Sequence, residues 1–145
     1  MSGETTRIAF VCVRNAGRSQ MATAFAGQKL DRRGLCDRVE LRTGGTDPAD
    51  SVHDAVVVSM QEVDIDLSDR EPREVTTEEL AACDVVVTMG CSTLDLEPPG
   101  DTDLREWSVE DPGGRDLDTV REIREDVRLH VAALLDDLFA ERTTT

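Results

Sequence analysis

The chain has 145 residues, enough for one domain around a single core, and its 31 Asp and Glu against 16 Lys and Arg give a net charge of −15. That balance, without any basic patch, excludes nucleic acid and anionic membrane as partners. An apolar content of 39% excludes a disordered chain, and Lys29 is the only lysine. An acidic, lysine-poor surface over a foldable core fits a protein that works in concentrated salt, where screening removes most of the self-repulsion.

Arg7 to Val13 reads as a short buried strand, and Ser19 to Arg33 as a helix with Met21, Ala22, Phe25, Ala26 and Leu30 at helical spacing and Gly34 as its stop. Arg38 to Thr43 alternates Val39 and Leu41 with charged residues and ends in Gly44-Gly45, the pattern of a second strand. A turn over Asp47 to Ser51 leads into a helix from about His53 to Val63. Thr76 or Thr77 caps a short helix whose first turn holds Glu78 and Glu79. Asp84 to Met89 is another buried strand. Gly90 to Pro112 reads as a long loop containing Trp107, the only tryptophan, and Asp116 to Glu141 as the longest helix, with a stripe of Val120, Ile123, Val127, Val131, Leu134 and Leu138. Strands alternating with helices imply right-handed crossovers and an α/β fold with a parallel sheet covered on both faces. Ligands in such folds bind beyond the carboxyl ends of the strands.

The four cysteines, Cys12, Cys36, Cys83 and Cys91, match neither a zinc pattern nor a short disulfide framework. His53 and His130 have no cysteine or carboxylate at metal-ligand spacing, so no metal is expected. Met1 to Arg7 lacks the apolar core of a signal peptide, and no segment reaches the length of a membrane span. A cytoplasmic protein with reduced thiols is expected.

The chemistry concentrates in Cys12-Val13-Arg14-Asn15-Ala16-Gly17-Arg18-Ser19. A cysteine at the end of a strand, a loop of five residues, and Arg-Ser opening a helix place a thiol inside a ring of main-chain N–H groups at the positive end of a helix dipole. Residues Val13 to Gly17, with the Arg18 guanidinium, would cradle a tetrahedral oxyanion. The same field favours a thiolate at Cys12, a nucleophile aimed at whatever the cradle holds. Asn15 and Gly17 tolerate the backbone angles of a tight loop, and the Ser19 hydroxyl can donate to the thiolate. A buried, inert cysteine on a first strand is the competing reading, and the context of this loop disfavours it.

A cysteinyl intermediate needs an acid for the departing group. Asp111 in Glu110-Asp111-Pro112-Gly113-Gly114 is the candidate, on a turn-rich stretch that can close over the Cys12 loop, with Glu110 as the alternative. Asp116 and Asp118 belong to the N-terminus of the last helix. Cys91, just past the strand that ends at Met89, can attack a Cys12 adduct if the two lie close, or pack as a small hydrophobe. Cys36 and Cys83 read as passengers.

These residues resemble the low-molecular-weight protein tyrosine phosphatase superfamily, which contains phosphatases and arsenate reductases of one fold. Asn15-Ala16-Gly17-Arg18-Ser19-Gln20-Met21-Ala22, Gly45-Thr46-Asp47-Pro48-Ala49, Ile65-Asp66-Leu67-Ser68, Val86-Val87-Thr88-Met89-Gly90-Cys91, and Trp107 with Asp111-Pro112 look more like the reductase branch. The resemblance implies a three-layer α-β-α fold with a four-stranded parallel sheet over residues 1–145. It also implies Cys12 as nucleophile, Arg18 as oxyanion clamp, Ser19 as thiolate stabiliser, Asp111 as general acid and Asn15 as the holder of the loop. In the reductase chemistry Cys12 attacks arsenate, an oxygen leaves with help from Asp111, and a thiol then attacks the Cys12 sulfur and releases arsenite. No bound cofactor is implied, only an external thiol reductant, either thioredoxin or a low-molecular-weight thiol.

Two departures stand out. Ser92 to Asp111 contains no cysteine, so the internal relay of thioredoxin-coupled reductases is incomplete. Either Cys91 forms a disulfide with Cys12 that an external reductant opens, or a small thiol attacks the adduct directly. Phosphatases of the family flank the aryl ring with aromatics after the Asp-Pro, whereas here Gly113-Gly114 follow Pro112 and the chain has no Tyr. Arsenate reductase is therefore the first reading, and hydrolysis of phosphomonoesters through a cysteinyl-phosphate the second. A non-catalytic sensor using Cys12 as an oxidisable switch is a third, which the presence of Asp111 disfavours.

Overall fold

The computed structural model describes residues 5–45, 47–89 and 102–139. In chain order these form β1 (Thr6–Cys12), α1 (Arg18–Arg32), β2 (Val39–Gly45), α2 (Asp54–Gln61), α3 (Thr77–Ala81), β3 (Val85–Met89), β4 (Asp103–Trp107) and α4 (Leu117–Phe139). The strands make one parallel sheet in the order β2-β1-β3-β4.

Alternation along β1 divides the core between the two faces of the sheet. Ile8, Phe10 and Cys12 point to the side where α1, α2 and α4 pack, together with Val85, Val87 and Met89 of β3. Ala9 and Val11 point to the other side, under Val75, Leu80 and Cys83 of the α3 region. The result is the expected three-layer α-β-α arrangement, with a much thinner second helical layer. The α4 stripe behaves as its spacing demands: Val120, Ile123, Val127, Val131 and Leu134 are buried and Leu138 partly so.

One expectation fails. The stretch read as a loop from Gly90 to Pro112 contains β4. This is an edge strand whose Asp103, Leu104 and Glu106 face solvent, with only Arg105 and Trp107 partly covered. Such a strand needs no β-branched run and leaves little trace in the sequence. The second helix is also shorter than its periodicity suggested. Asp64 takes a left-handed φ of 67°, and the N–H groups of Val63 and Ile65 both turn back to the Met60 carbonyl (3.0 Å each), which ends the helix early. Thr76, not Thr77, caps α3: its hydroxyl accepts from Glu79 N (3.1 Å) while Glu79 Oε1 accepts from Thr76 N (3.0 Å), a full capping box.

Parallel strands bring their carboxyl ends together. Cys12 pairs in register with Gly45 on one side and Met89 on the other, and Met89 pairs with Trp107. The nucleophile candidate thus sits at the centre of the sheet's carboxyl edge. Cys36 and Cys83 lie before β2 and β3, at the opposite end. Among the described residues no helix is long and apolar enough to cross a membrane, and no group of three or more His, Cys, Asp or Glu could hold a metal.

Candidate active site

Five residues, Val13 to Gly17, join the end of β1 to the start of α1. Three of their carbonyls are tied outward to the segment between β2 and α2. Asp47 N donates to Val13 O (2.8 Å), Ala49 N to Arg14 O (2.9 Å) and His53 N to Ala16 O (3.0 Å). In a trans peptide the C=O and the following N–H point in opposite directions, and no peptide bond among the described residues is cis. The N–H groups of Arg14, Asn15 and Gly17 therefore point away from that segment, into the loop. The first N–H groups of α1 add to them, since they have no partner within the helix. Such an arrangement can cradle an anion with the backbone alone, and its cause is the outward anchoring of the loop's carbonyls.

Two glycines and one asparagine permit the loop. Asn15 sits at φ 52°, the left-handed region that Asn enters more readily than other side chains. A Cβ on Gly45 would collide with the carbonyls of Val13 and Cys12, so the loop can pass over the end of β2 only where there is no side chain. A Cβ on Gly17 would stand 2.6 Å from Pro112 Cγ. The Asp111-Pro112 turn is docked on the oxyanion loop through that bare position.

The hydrogen bonds around Cys12 have a fixed direction. Asn15 Oδ1 accepts from Gln20 Nε2 (3.1 Å) and from Arg73 N (3.0 Å), which settles the orientation of the amide. Asn15 Nδ2 then donates to Ser19 Oγ (2.7 Å) and Thr43 Oγ1 (2.9 Å). Ser19 Oγ is already an acceptor, so its own proton is left for Cys12 Sγ at 2.9 Å. Thr43 passes its proton to the Phe10 carbonyl (3.1 Å). The arm through Asn15 and Ser19 therefore ends in a donor aimed at the sulfur, an arrangement that suits a thiolate.

Arg73 braces the network from behind. Its guanidinium donates to Thr43 O (2.9 Å) and to Glu79 Oε2 (2.6 Å). Burial pushes the Glu79 carboxyl up, but the Arg73 guanidinium, the Thr76 N–H and Arg42 together more than offset this, so the carboxyl stays below its ordinary range.

Arg18 is 8% exposed and completes the cradle. Its Nη1 donates to Val109 O (3.2 Å), which leaves Nη2 toward the acid turn, 3.9 Å from Asp111 Oδ2. Asp111 Oδ1 accepts from Gly113 N (2.9 Å), fixing the carboxylate on its turn. Glu110, the alternative acid, is engaged elsewhere: its carboxylate pairs with Arg115 at 2.8 Å. Asp116 Oδ1 accepts from Thr119 N (3.0 Å) and Asp118 pairs with Arg121 (2.8 Å), both at the N-terminus of α4 as their positions implied. Arg14 turns outward to Asp47, Nη1 to Oδ2 at 2.8 Å. Trp107 packs on Phe10 and His130, with ring centroids 5.8 and 5.1 Å apart.

The structure thus brings Cys12, Val13, Arg14, Asn15, Ala16, Gly17, Arg18, Ser19 and Asp111 to one place. Cys91 lies outside the described residues. Sequence reasoning missed Thr43, Arg73 and His53. Thr43 carried a signal, as the last residue before Gly44-Gly45 on a strand beside β1, whereas Arg73 and His53 reach the site through main-chain contacts that no spacing announces.

Gly17→Ala is the direct test of the docking contact. Forcing a Cβ against the rigid Pro112 ring costs about 1–3 kcal/mol, and moving the turn carries Asp111 away from the cradle. Turnover is expected to fall by about tenfold or more, while phosphate still protects Cys12 from alkylation. Unchanged turnover would separate the turn from the chemistry.

Known proteins similar to this chain identify its family. The sequence profile described as low molecular weight phosphotyrosine protein phosphatase matches residues 7–144. A Halobacterium salinarum protein named "Putative arsenate reductase" is 55% identical over 133 residues, covering 92% of this chain and 93% of that one. A Synechocystis protein named "Glutaredoxin arsenate reductase" is 32% identical over 132 residues, covering 89% and 95%. Among solved structures, the thioredoxin-dependent arsenate reductase Cg_ArsC1' of Corynebacterium glutamicum superposes with a TM-score of 0.79 at 28% identity. That match covers 97% of this chain and 65% of the other. With its signature loop, its sheet order and its sequence all in agreement, the chain belongs to the low molecular weight phosphotyrosine protein phosphatase family.

Proposed function

We propose that this protein reduces arsenate to arsenite with a thiol as electron donor. The observation that carries the reading is the Cys12 sulfur, 2.9 Å from the Ser19 hydroxyl and set in a loop whose inward N–H groups and buried Arg18 suit a tetrahedral oxyanion. Reduction is favoured over ester hydrolysis by two supports. Relatives at 55% and 32% identity bear the name arsenate reductase. Gly113 and Gly114 after Pro112 offer no side chain to flank an aryl ring.

The cycle follows from the geometry. The Cys12 thiolate attacks arsenic, and Asp111 gives its proton to the departing oxygen, which leaves as water. Arg18 and the loop N–H groups hold the remaining oxygens. An incoming thiolate then attacks Cys12 Sγ. The S–As bond breaks with its electron pair going to arsenic, arsenite leaves, and the two sulfurs are oxidised to a disulfide. Cys91 follows two residues after Met89, the register partner of Cys12, and is the internal candidate for that thiol. A thioredoxin- or glutaredoxin-type reductant is in keeping with the names of two relatives. The acid-rich composition suits work in concentrated salt, which is also in keeping with the Halobacterium relative.

The experiment is arsenite release from arsenate in molar salt, with thioredoxin or a small thiol, beside hydrolysis of p-nitrophenyl phosphate. Thiol-dependent arsenite release well above ester hydrolysis supports the reductase. Hydrolysis alone makes the protein a phosphomonoesterase. Cys91→Ser is expected to slow thioredoxin-driven release by about tenfold and to slow ester hydrolysis far less. Equal rates in the two proteins would remove Cys91 from the relay and leave the external thiol to attack Cys12 directly.

A further inference from the structure

His53 borders the Asp111 turn and has no task in the steps above. Its main-chain N–H is bonded to the Ala16 carbonyl (3.0 Å), so the residue is fixed to the oxyanion loop. It is the N-cap of α2 but gives the helix no side-chain cap. The imidazole is half-buried. Its Nε2 lies 3.1 Å from the point a Cβ on Gly113 would occupy, and Asp111 Oδ1 lies 3.3 Å from the same point. The ring therefore stands against the bare face of Gly113 and borders the acid turn. Among the described residues, neither ring nitrogen has a hydrogen-bond partner. Both are open to proton exchange.

The reductase cycle has a proton to move at this corner. In ester hydrolysis the attacking water returns a proton to the acid, so Asp111 recharges itself. In reduction the second nucleophile is a thiol that attacks sulfur. Its proton must go somewhere as the S–S bond forms, and Asp111 is left without one at the end of the turnover. The charged groups bordering the corner are Asp111 on the turn, Arg18 behind it and Asp54 next to His53 in sequence. Of these side chains only the imidazole carries one nitrogen that can accept a proton and another that can donate one.

Resting on the reductase reading, we propose that His53 is the proton carrier of the second half-reaction. Its unprotonated imidazole takes the proton of the incoming thiol while that sulfur bonds to Cys12 Sγ. The S–As bond breaks toward arsenic, and arsenite leaves. The imidazolium then hands its proton to the Asp111 carboxylate, which restores the acid for the next arsenate. Two sulfurs are oxidised to a disulfide, arsenic goes from As(V) to As(III), and the thiol's proton ends on Asp111. The arsenite oxygens take their further protons from water, and a second equivalent of the thiol reduces the disulfide and frees Cys12.

The test is arsenite release by His53→Ala with 2-mercaptoethanol as the thiol, followed across neutral pH with and without added imidazole. Alkylation of Cys12 by iodoacetamide, and its protection by phosphate, reports whether the site still stands. The expected result is a rate about tenfold below wild type that imidazole restores in proportion to its free-base fraction. A wild-type rate in the variant overturns the proposal. So does a slow rate that imidazole fails to lift while phosphate protection persists. If protection is lost in His53→Ala, His53→Gln keeps the side-chain volume without a titrating group. A slowed, protected His53→Gln supports the proton carrier, and a full rate overturns it. Absence of arsenite from the wild-type protein is a different outcome, one that removes the reductase reading on which the proposal rests.

Discussion

Cys12→Ser is expected to abolish both arsenite release and ester hydrolysis, a loss of about a thousandfold or more. The reason is local. The directed chain from Asn15 through Ser19 delivers a proton donor to the sulfur at 2.9 Å, and that donor stabilises a thiolate. A serine hydroxyl in the same place stays protonated near neutral pH and is a poor nucleophile without a general base. Ser19 is committed as a donor and Asp111 Oδ2 faces Arg18, so neither serves as that base. The cradle itself does not depend on the sulfur. Its carbonyls are anchored by Asp47, Ala49 and His53, and Arg18 is held by Val109. Phosphate should therefore still bind to the substituted protein, as measured by calorimetry, while turnover is gone. Residual turnover near the wild-type rate would exclude Cys12 as the nucleophile. Loss of phosphate binding along with turnover would make the cysteine a structural part of the loop.

Much of this site was legible in the chain because its chemistry is local. Cys12 to Ser19 is contiguous, and the apolar run before it and the helical spacing after it fix a strand, a tight loop and a helix in that order. The alternation of Ile8, Phe10 and Cys12 against Ala9 and Val11 even divides the two faces of the sheet. What stayed hidden depends on contacts distant in sequence. Glu110 and Asp111 are indistinguishable as neighbours in a turn. Arg115 takes the first and the docking of Pro112 on Gly17 delivers the second. Arg73 reaches Asn15 across 58 residues through a main-chain N–H, which any residue type supplies. His53 looks like an ordinary helix start until Gly113 is seen to leave room for its ring. β4 escaped for a different reason: an edge strand exposing Asp103, Leu104 and Glu106 has no hydrophobic face to announce it.

Arg18→Lys keeps the charge and is expected still to lose about 100- to 1,000-fold in turnover, the usual scale for removing an aligned transition-state donor. Arg18 is 8% exposed, and Nη1 is already bonded to Val109 O at 3.2 Å. The guanidinium plane is thereby set, and its remaining N–H groups are aimed without further ordering. A lysine ammonium is a single point of charge on a flexible stem. It cannot hold the Val109 carbonyl and grip two oxyanion oxygens in one plane. The carbonyl is then left short of a donor in a buried place, and the ammonium is free to swing toward Asp111, whose Oδ2 lies only 3.9 Å from Nη2 in the wild type. Such a pairing would take both the clamp and the acid out of service together. Steady-state rates and inhibition by phosphate separate the parts of this effect. Weaker phosphate inhibition with a larger fall in turnover identifies a donor that strengthens as charge develops on the oxygens. A loss of less than about threefold would mean that charge alone suffices, and that the planar fork of Arg18 contributes little to the reaction.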